Sequence, residues 1–287
     1  MFSPINEKDY AANSELTIAN IGGKSKGETT YFSGIAKLAR ALYLDTDNVP
    51  CFYLMQLGGG YVENEKFRTA VHVKKDARAI VTTQAATKVY KCENKLPSYQ
   101  RNEIILDDNA VLEFITDNVI LYKDAMFKQD TTIKLKDTST LIYTEGLTSG
   151  WSPDGNKFQY SSLQMKLRMF INDKPVMLDN LKLDPREDKM QSLGFFEEYT
   201  NYSSLIVVDK SVNNSLIEIL RGKLEELNLD VKVGISKLEC DGFVLRVLGN
   251  LTQDLEKVIF ACINYIRREK FSSNELELGK RWKIYKK

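Results

Sequence analysis

Of the side chains that run most protein chemistry, this sequence supplies one histidine, His72, and four cysteines, Cys51, Cys92, Cys240 and Cys262. Any Ser-His-Asp or Cys-His nucleophile system, and any multi-histidine zinc or nickel cage, would have to pass through that single imidazole. His72 sits mid-strand between Val71 and Val73, which reads as a structural position. The cysteines are widely separated and form no CxxC pair, a pattern of buried thiols rather than of ligands or a disulfide framework. Gly22-Gly23-Lys24-Ser25 ends like a phosphate-binding loop, but the position five before Gly23 is Ile18 where that loop needs glycine, and no clear strand precedes it. Gly58-Gly59-Gly60 lacks the GxGxxG spacing and runs into Tyr61-Val62-Glu63, which reads as another strand; a tight backbone approach or turn is its expected job. Carboxylates are plentiful, and a glycosidase-like Asp/Glu pair is defined by separation in space, so no local signature nominates one. From these residues two readings stay open: a non-catalytic β-rich scaffold, and a β-rich carbohydrate-active hydrolase using an Asp/Glu pair.

The elements that must position such residues are mostly strands. From Thr29 to about Leu183, short β-branched and aromatic runs alternate with Gly, Asp, Asn and Pro. The pattern predicts strands at Lys66 to Val73, Ala79 to Val89, Asn102 to Leu106, Val111 to Phe114, Val119 to Tyr122, Thr131 to Leu135, Thr140 to Thr144 and Leu163 to Ile171. Asp107-Asp108-Asn109-Ala110, Asp137-Thr138-Ser139 and Asn172-Asp173-Lys174-Pro175 are polar clusters of the kind that turn a chain between antiparallel neighbours. No internal repeat is strict enough to define a solenoid. After Asp184-Pro185-Arg186 the character changes. Leu216, Ile217, Ile219, Leu220, Leu224 and Leu227 form one helical stripe, capped by Ser215 or a preceding Asn. Leu255, Val258, Ile259, Cys262, Ile263 and Ile266 form a second, opened by Thr252 and closed by Arg267-Arg268, whose charges suit a helix C-terminus. With strands at Ser204 to Val208, Val231 to Ser236 and Phe243 to Val247 they make a βαββα-like unit. The expected organisation is a body over 1–185 and a mixed α/β portion over 186–287, packed as one continuous domain.

Forty Lys and Arg balance thirty-nine Asp and Glu for a formal charge of +1, so no whole-protein field draws the chain to nucleic acid or to an anionic membrane. The first residues lack a basic and then apolar leader, and no run approaches the roughly 18 apolar residues of a spanning helix, so a cytoplasmic protein is expected. The tail Lys280 to Lys287 reads as solvated charge, with Trp282 and Tyr285 available for a partner contact.

One segment is more specific. Thr82-Thr83-Gln84-Ala85-Ala86-Thr87-Lys88-Val89-Tyr90-Lys91 resembles the T-T-x-A-A-[TS]-K-[VF]-Y-[RK] strand of the urease accessory protein D family, called UreD or UreH. Around it fall further matches in order: Gly58 to Gly60 upstream, Gln100, the Leu112-Glu113 pair, and Ile120 with Ala125. Glu145 to Gly155, with Gly150-Trp151, resembles the family's E-x-(x)-x-x-G-[RW] loop in its Gram-positive form. Two departures stand out: Glu63-Asn64-Glu65 where many members end a Gly-Gly segment with Gly-Asp, and Ile115-Thr116 where Leu-Pro is frequent. The resemblance implies a mainly β fold, a superhelical array of many antiparallel and mixed β-strands with two α-helices in the C-terminal part. It implies a non-catalytic scaffold, not an enzyme. Its partners would be apo-urease, the helical accessory protein F and, through F, the GTPase accessory protein G. No cofactor would be tightly bound; Ni2+ would be in transit through an internal channel, hopping between weak oxygen sites that can release it. On that implication Glu113, Glu145 and Asp179 are the candidate weak metal positions. Thr82, Thr83, Gln84, Thr87, Lys88, Tyr90, Gln100, Gly150 and Trp151 are candidate channel-wall or motif positions.

Overall fold

The computed structural model describes residues 2, 6–44 and 47–279, so Trp282 and Tyr285 lie outside the described residues. The chain winds as a β-solenoid of about four turns. Its first turn holds β1 (Ala12–Ile21), a hairpin partner β2 (Lys24–Gly34), β3 (Ala36–Leu38), β4 (Leu42–Tyr43) and β5 (Pro50–Gln56). The second holds β6 (Lys66–Val73), β7 (Arg78–Thr83) and β8 (Lys88–Val89). The third holds β9 (Ser98–Leu106), β10 (Val111–Ile115) and β11 (Ile120–Leu121), and the fourth β12 (Met126–Leu135) and β13 (Thr140–Leu147). Next comes β14 (Ser162–Ile171), which stacks in parallel on β12, and β15 (Lys174–Leu183), which doubles back antiparallel.

Strands one turn apart are stacked in parallel. β1, β6, β9, β12 and β14 form one sheet, and β5, β7, β10 and β13 form the core of a second. A narrow third face carries β8 and β11, extended by bridges Tyr61 to Val89 and Tyr122 to Trp151. Asp107 to Ala110 and Asp137 to Ser139 therefore do not join antiparallel neighbours as expected: they are corners between the first and second sheets. Asn109, and Asp76 in the equivalent corner between β6 and β7, sit at φ 56° and 57°, a left-handed conformation that Asn and Asp tolerate. Asn109 Nδ2 donates to Asp76 Oδ1 at 2.9 Å and Asn109 N to Thr138 Oγ1 at 3.0 Å, stacking one corner on the next. Equivalent residues such as Phe67, Gln100, Gln129 and Met165 are unevenly spaced, which is why no repeat shows in the sequence.

The inward rows explain the packing. Ile18, Val73, Leu106 and Leu135 stack on one another, as do Leu16, Val71, Ile104 and Ile133, against Val81, Phe114 and Ile206 of the second sheet. Each fully buried aliphatic side chain there is worth roughly 1.5–3 kcal/mol over its exposed state. The second sheet grows antiparallel beyond β13 through β16 (Asn201–Val208), then, after α1 (Asn214–Glu226) and β17 (Val231–Lys237), through β18 (Gly242–Gly249), with β17 at the edge. The last element is α2 (Thr252–Phe271). The side chain of Asn213 caps α1 by accepting from Leu216 N at 2.9 Å. Both helices bury their stripes on the outer face of the second sheet, where Cys51, Ile80, Ile142, Val207 and Phe243 meet Leu255, Ile259, Cys262 and Ile263. Ile219, counted in the first stripe, points to solvent instead. Arg267, read as a charge suiting the helix C-terminus, is turned inward and is 1% exposed.

Three further readings are corrected. Ala79 to Val89 is not one strand: it breaks at Gln84 to Thr87, a corner between the second sheet and the third face. Gly22-Gly23 are the two turn residues of the β1–β2 hairpin, at φ 62° and 80°, with Ile21 paired to Lys24, so a strand does precede them and no helix follows. β1, most of β2 and β15 were not anticipated. β1 is diluted by Ala and Asn, and β15 carries Pro175, Asp179 and Asn180, tolerated because it is an edge strand. Among the described residues no helix is long and apolar enough to cross a membrane.

Candidate functional site: a polar cavity along the solenoid axis

The inward rows of the first sheet change character halfway along each strand. In β9 they read Ser98, Gln100, Asn102 and then Ile104, Leu106; in β12, Gln129, Thr131 and then Ile133, Leu135. Stacked in parallel, the polar halves line up, and hydrocarbon cannot fill the space between them and the second sheet without leaving amides unpaired. A cavity of about 250 Å³ results, lined among others by Ser14, Thr69, Gln100, Asn102, Gln129 and Glu145. That is many times the roughly 10–15 Å³ that a single water needs.

These side chains form one directional relay. Gln56 Nε2 donates to the Tyr61 hydroxyl at 2.7 Å, which donates to Gln100 Oε1 at 2.5 Å. Gln100 Nε2 donates to Asn102 Oδ1 at 2.7 Å, and Asn102 Nδ2 to Thr131 Oγ1 at 3.0 Å. Thr131 reaches the Tyr143 hydroxyl at 3.5 Å, and Tyr143 donates to Glu145 Oε2 at 3.0 Å, beside Gln129 Nε2 at 3.1 Å. The donations run from the first turn of the solenoid to the fourth and end on the one group in the series that, ionised, can only accept. Glu145 keeps some solvent access, yet burial dominates and pushes its carboxyl up to about 7, with Asp179 raising it further and Tyr143, Arg246 and Gln129 opposing. Burial pushes the phenols of Tyr61 and Tyr143 well above their ordinary value, so both are permanent donors.

The residues singled out from the sequence do not fall in one place. Thr83, Gln84, Thr87 and Lys88 line the cavity with Ala85 and Ala86, the exposed members of this corner forming its rim. Thr83 Oγ1 donates to Asp117 Oδ2 at 2.7 Å and accepts from Asp117 N at 2.9 Å, fixing the wall. Gln100 and Glu145 are members of the relay. Thr82 is on the opposite side of β7, buried, donating to Ile115 O at 2.5 Å. Tyr90 and Trp151 stand on the outside of the third face, where their rings flank Tyr122 at 5.0 and 4.8 Å between centroids. Gly150 is required there: its φ is 85°, and a Cβ would lie 2.3 Å from Leu121 O.

Glu113 does not share the cavity with Glu145. The alternation of β10 sends Leu112 and Phe114 inward and Glu113 outward beneath α2. There Arg267 Nη1 donates to both carboxylate oxygens at 2.7 and 2.6 Å, and Arg78 Nη2 donates at 2.9 Å. Ser273 links the cluster to Asp47, accepting from Arg78 at 3.2 Å and donating at 2.8 Å. Fully buried and twice paired, Glu113 clamps α2 to the sheet. Asp179, on β15, lies two strands beyond the fourth turn that carries Glu145, accepting from Arg246 Nη2 at 2.6 Å. His72 is on the outer face of the first sheet, its Nε2 3.0 Å from Asp107 Oδ2. Among the described residues no group of three His, Cys, Asp or Glu side chains could hold a metal ion as a cage.

Gln56, Tyr61, Asn102, Gln129, Thr131, Tyr143 and Arg246 were not anticipated. The available signal was polar residues at alternate positions of segments otherwise reading as buried strands.

The family model described as UreD urease accessory protein matches residues 11–283. The chain is 36% identical over 272 residues to the urease accessory protein UreD of Lachnoclostridium phytofermentans, covering 95% of this chain and 99% of that one. It is 36% identical to the protein of the same name from Streptococcus salivarius over 265 residues, 92% and 95% of the two chains. With that of Ureaplasma parvum it shares 35% over 278 residues, 95% and 97% of the two.

Proposed function

The chain belongs to the UreD urease accessory protein family, and on that premise we propose that it is a non-catalytic scaffold through which nickel reaches the urease active site. The observation that carries the reading is the relay from Gln56 to Glu145, a continuous file of oxygen and amide groups inside a solenoid whose two sheets otherwise pack on hydrocarbon. Such groups suit a divalent cation in passage. Carbonyl and hydroxyl oxygens hold a borderline ion weakly, and a lone carboxylate gives it a stopping point without the thiolates or imidazoles that would trap it. Nickel here is cargo.

In this reading the corner Gln84 to Lys88 is the mouth, the relay residues are the lining, and Glu145 is the charged station. Glu113 serves by holding α2 in place. The partners are apo-urease, accessory protein F and, through F, the GTPase G, so that GTP hydrolysis occurs outside this chain, in the cytoplasm where urease matures.

The test is reconstitution. Apo-urease is co-expressed with the other accessory proteins, with or without this chain, and nickel content and activity are measured. Full activation without the chain ends the reading. Gln129→Phe, which fills the lumen beside Glu145, is expected to abolish activation while the purified chain still captures its partners. Normal nickel loading by that variant would show that the cation takes another route.

A further inference from the structure

The cavity lining ends at Glu145, Gly146 and Met165, and what lies beyond is set by strand register. On the inward row of the second sheet Glu145 is followed by Ser204 and then by Arg246. On the inward row of the first sheet Thr131 is followed by Leu167 and then by Asp179. The two rows meet across the end of the solenoid, where Arg246 Nη2 and Asp179 Oδ2 close to 2.6 Å. Ser204 is buried behind them at 1% exposure, whereas the Arg246 side chain is 51% exposed and the Asp179 side chain 23%.

We propose that the Asp179–Arg246 ion pair is the closed gate at the far end of the axial cavity, with Arg246 the residue that keeps a cation from leaving until the receiving protein docks. This rests on the passage reading given above.

A cation halted at Glu145 that moves outward along these rows meets a guanidinium, and a doubly charged ion is repelled twice as strongly as a singly charged one. Asp179 fixes that guanidinium across the opening instead of letting it fold back onto Glu145, whose carboxylate feels both charges. The Arg246 side chain, held by Asp179 and Tyr202, is still 51% exposed, and a guanidinium has five donors in the fork geometry that a carboxylate engages bidentately. A docking partner with an acidic side chain at its rim would draw Arg246 aside, freeing Asp179 to receive the ion as it leaves Glu145. Arg246 is thus a positioning residue for transfer and makes no bond to the cargo.

The experiment uses the complete activation complex of apo-urease, the full chain and the other accessory proteins, supplied with nickel, with and without EDTA in the medium. Arg246→Gln removes the charge and keeps a hydrogen bond to Asp179; Arg246→Lys keeps the charge. Without chelator the Gln variant is expected to activate urease normally. With EDTA its activation should fall by roughly tenfold or more against wild type, the scale of one unscreened charge at such a site, and Lys should restore resistance. Binding of apo-urease, measured in parallel, should weaken by no more than the loss of one rim ion pair, roughly fivefold at most, and saturating apo-urease then separates a leaking gate from a loosened complex. EDTA sensitivity equal to wild type in Arg246→Gln, with Glu145→Gln defective, overturns the gate and leaves the passage standing. Full activation by both Arg246→Gln and Glu145→Gln in either medium overturns the passage and the gate together. Should Arg246→Gln fail to fold, Asp179→Asn decides: the untethered guanidinium is expected to settle on Glu145 and slow activation by roughly tenfold, and an unchanged rate overturns the proposal.

Discussion

Replacing Glu145 by Gln should stabilise the protein at alkaline pH and leave it nearly unchanged at acid pH. The glutamine keeps an oxygen to accept from Tyr143 and Gln129, so the relay retains its last acceptor. What it removes is a carboxyl that holds its proton up to about 7 in the folded chain against an ordinary value of 4.5. Below the lower figure both states carry the proton and the group is neutral to stability. Between the two the folded chain binds the proton that the unfolded chain has lost, so stability falls as pH rises, and the loss is complete above the upper figure. At ~1.4 kcal/mol per pH unit the ceiling is roughly 3 kcal/mol. Solvent access to the carboxylate and the facing charges of Arg246 and Asp179 screen this to about 1–2 kcal/mol. For a chain of this size that amounts to a rise in melting temperature of roughly 2–5 °C at pH 8.5. Thermal unfolding of wild type and Glu145→Gln at pH 5 and pH 8.5 checks it. A difference of the same size at both pH values would refute the reasoning, because the effect would then be packing and not the cost of ionising a group inside the cavity.

Two other substitutions separate architecture from passage. Glu113→Ala leaves Arg267, 1% exposed, and Arg78 with only the more distant carboxylate of Asp47, 3.9 and 3.5 Å away, and should cost about 3 kcal/mol in denaturant unfolding. The surviving folded fraction should load nickel into urease normally at a permissive temperature; defective loading by a folded, partner-binding variant would return Glu113 to the passage. Gly150→Ala drives a Cβ to 2.3 Å from Leu121 O at a φ of 85°, so the corner carrying Trp151 must move. A loss of about 2 kcal/mol or more is expected, with Trp151 fluorescence reporting the displacement, and an unshifted spectrum with unchanged stability would contradict the close approach.

Strand existence was legible wherever apolar and polar residues alternated: β6 was bounded to the residue, and the βαββα order of the C-terminal portion came from two clean helical stripes and three short β-branched runs. The solenoid was not legible, because its turns are stacked by register and not by a fixed period, and because Asn109 and Ser139 mark a sheet-to-sheet corner with the same residue types that mark a hairpin. The Thr82 to Lys91 segment shows a second limit. Read as one strand, its alternation would put Thr83, Ala85 and Thr87 on a single face; the corner at Gln84 resets the phase, and a resemblance in sequence carries no statement about phase.

Phase also decides the chemistry. Glu113 and Glu145 both follow β-rich runs, and both stand at positions that resemble the same family's motifs, yet β10 and β13 present them to opposite sides of one sheet. Glu113 follows inward Leu112, so it points out and meets Arg267 from a helix more than a hundred residues later. Glu145 shares the parity of inward Tyr143, so it points in and meets a file of amides and hydroxyls. A buried carboxylate between two guanidiniums, accepting from both, is held immobile and suits a clamp. A carboxylate that burial brings to about 7, fed by neutral donors, can exchange its proton for a cation near neutral pH, and that difference turns on a single step of strand alternation.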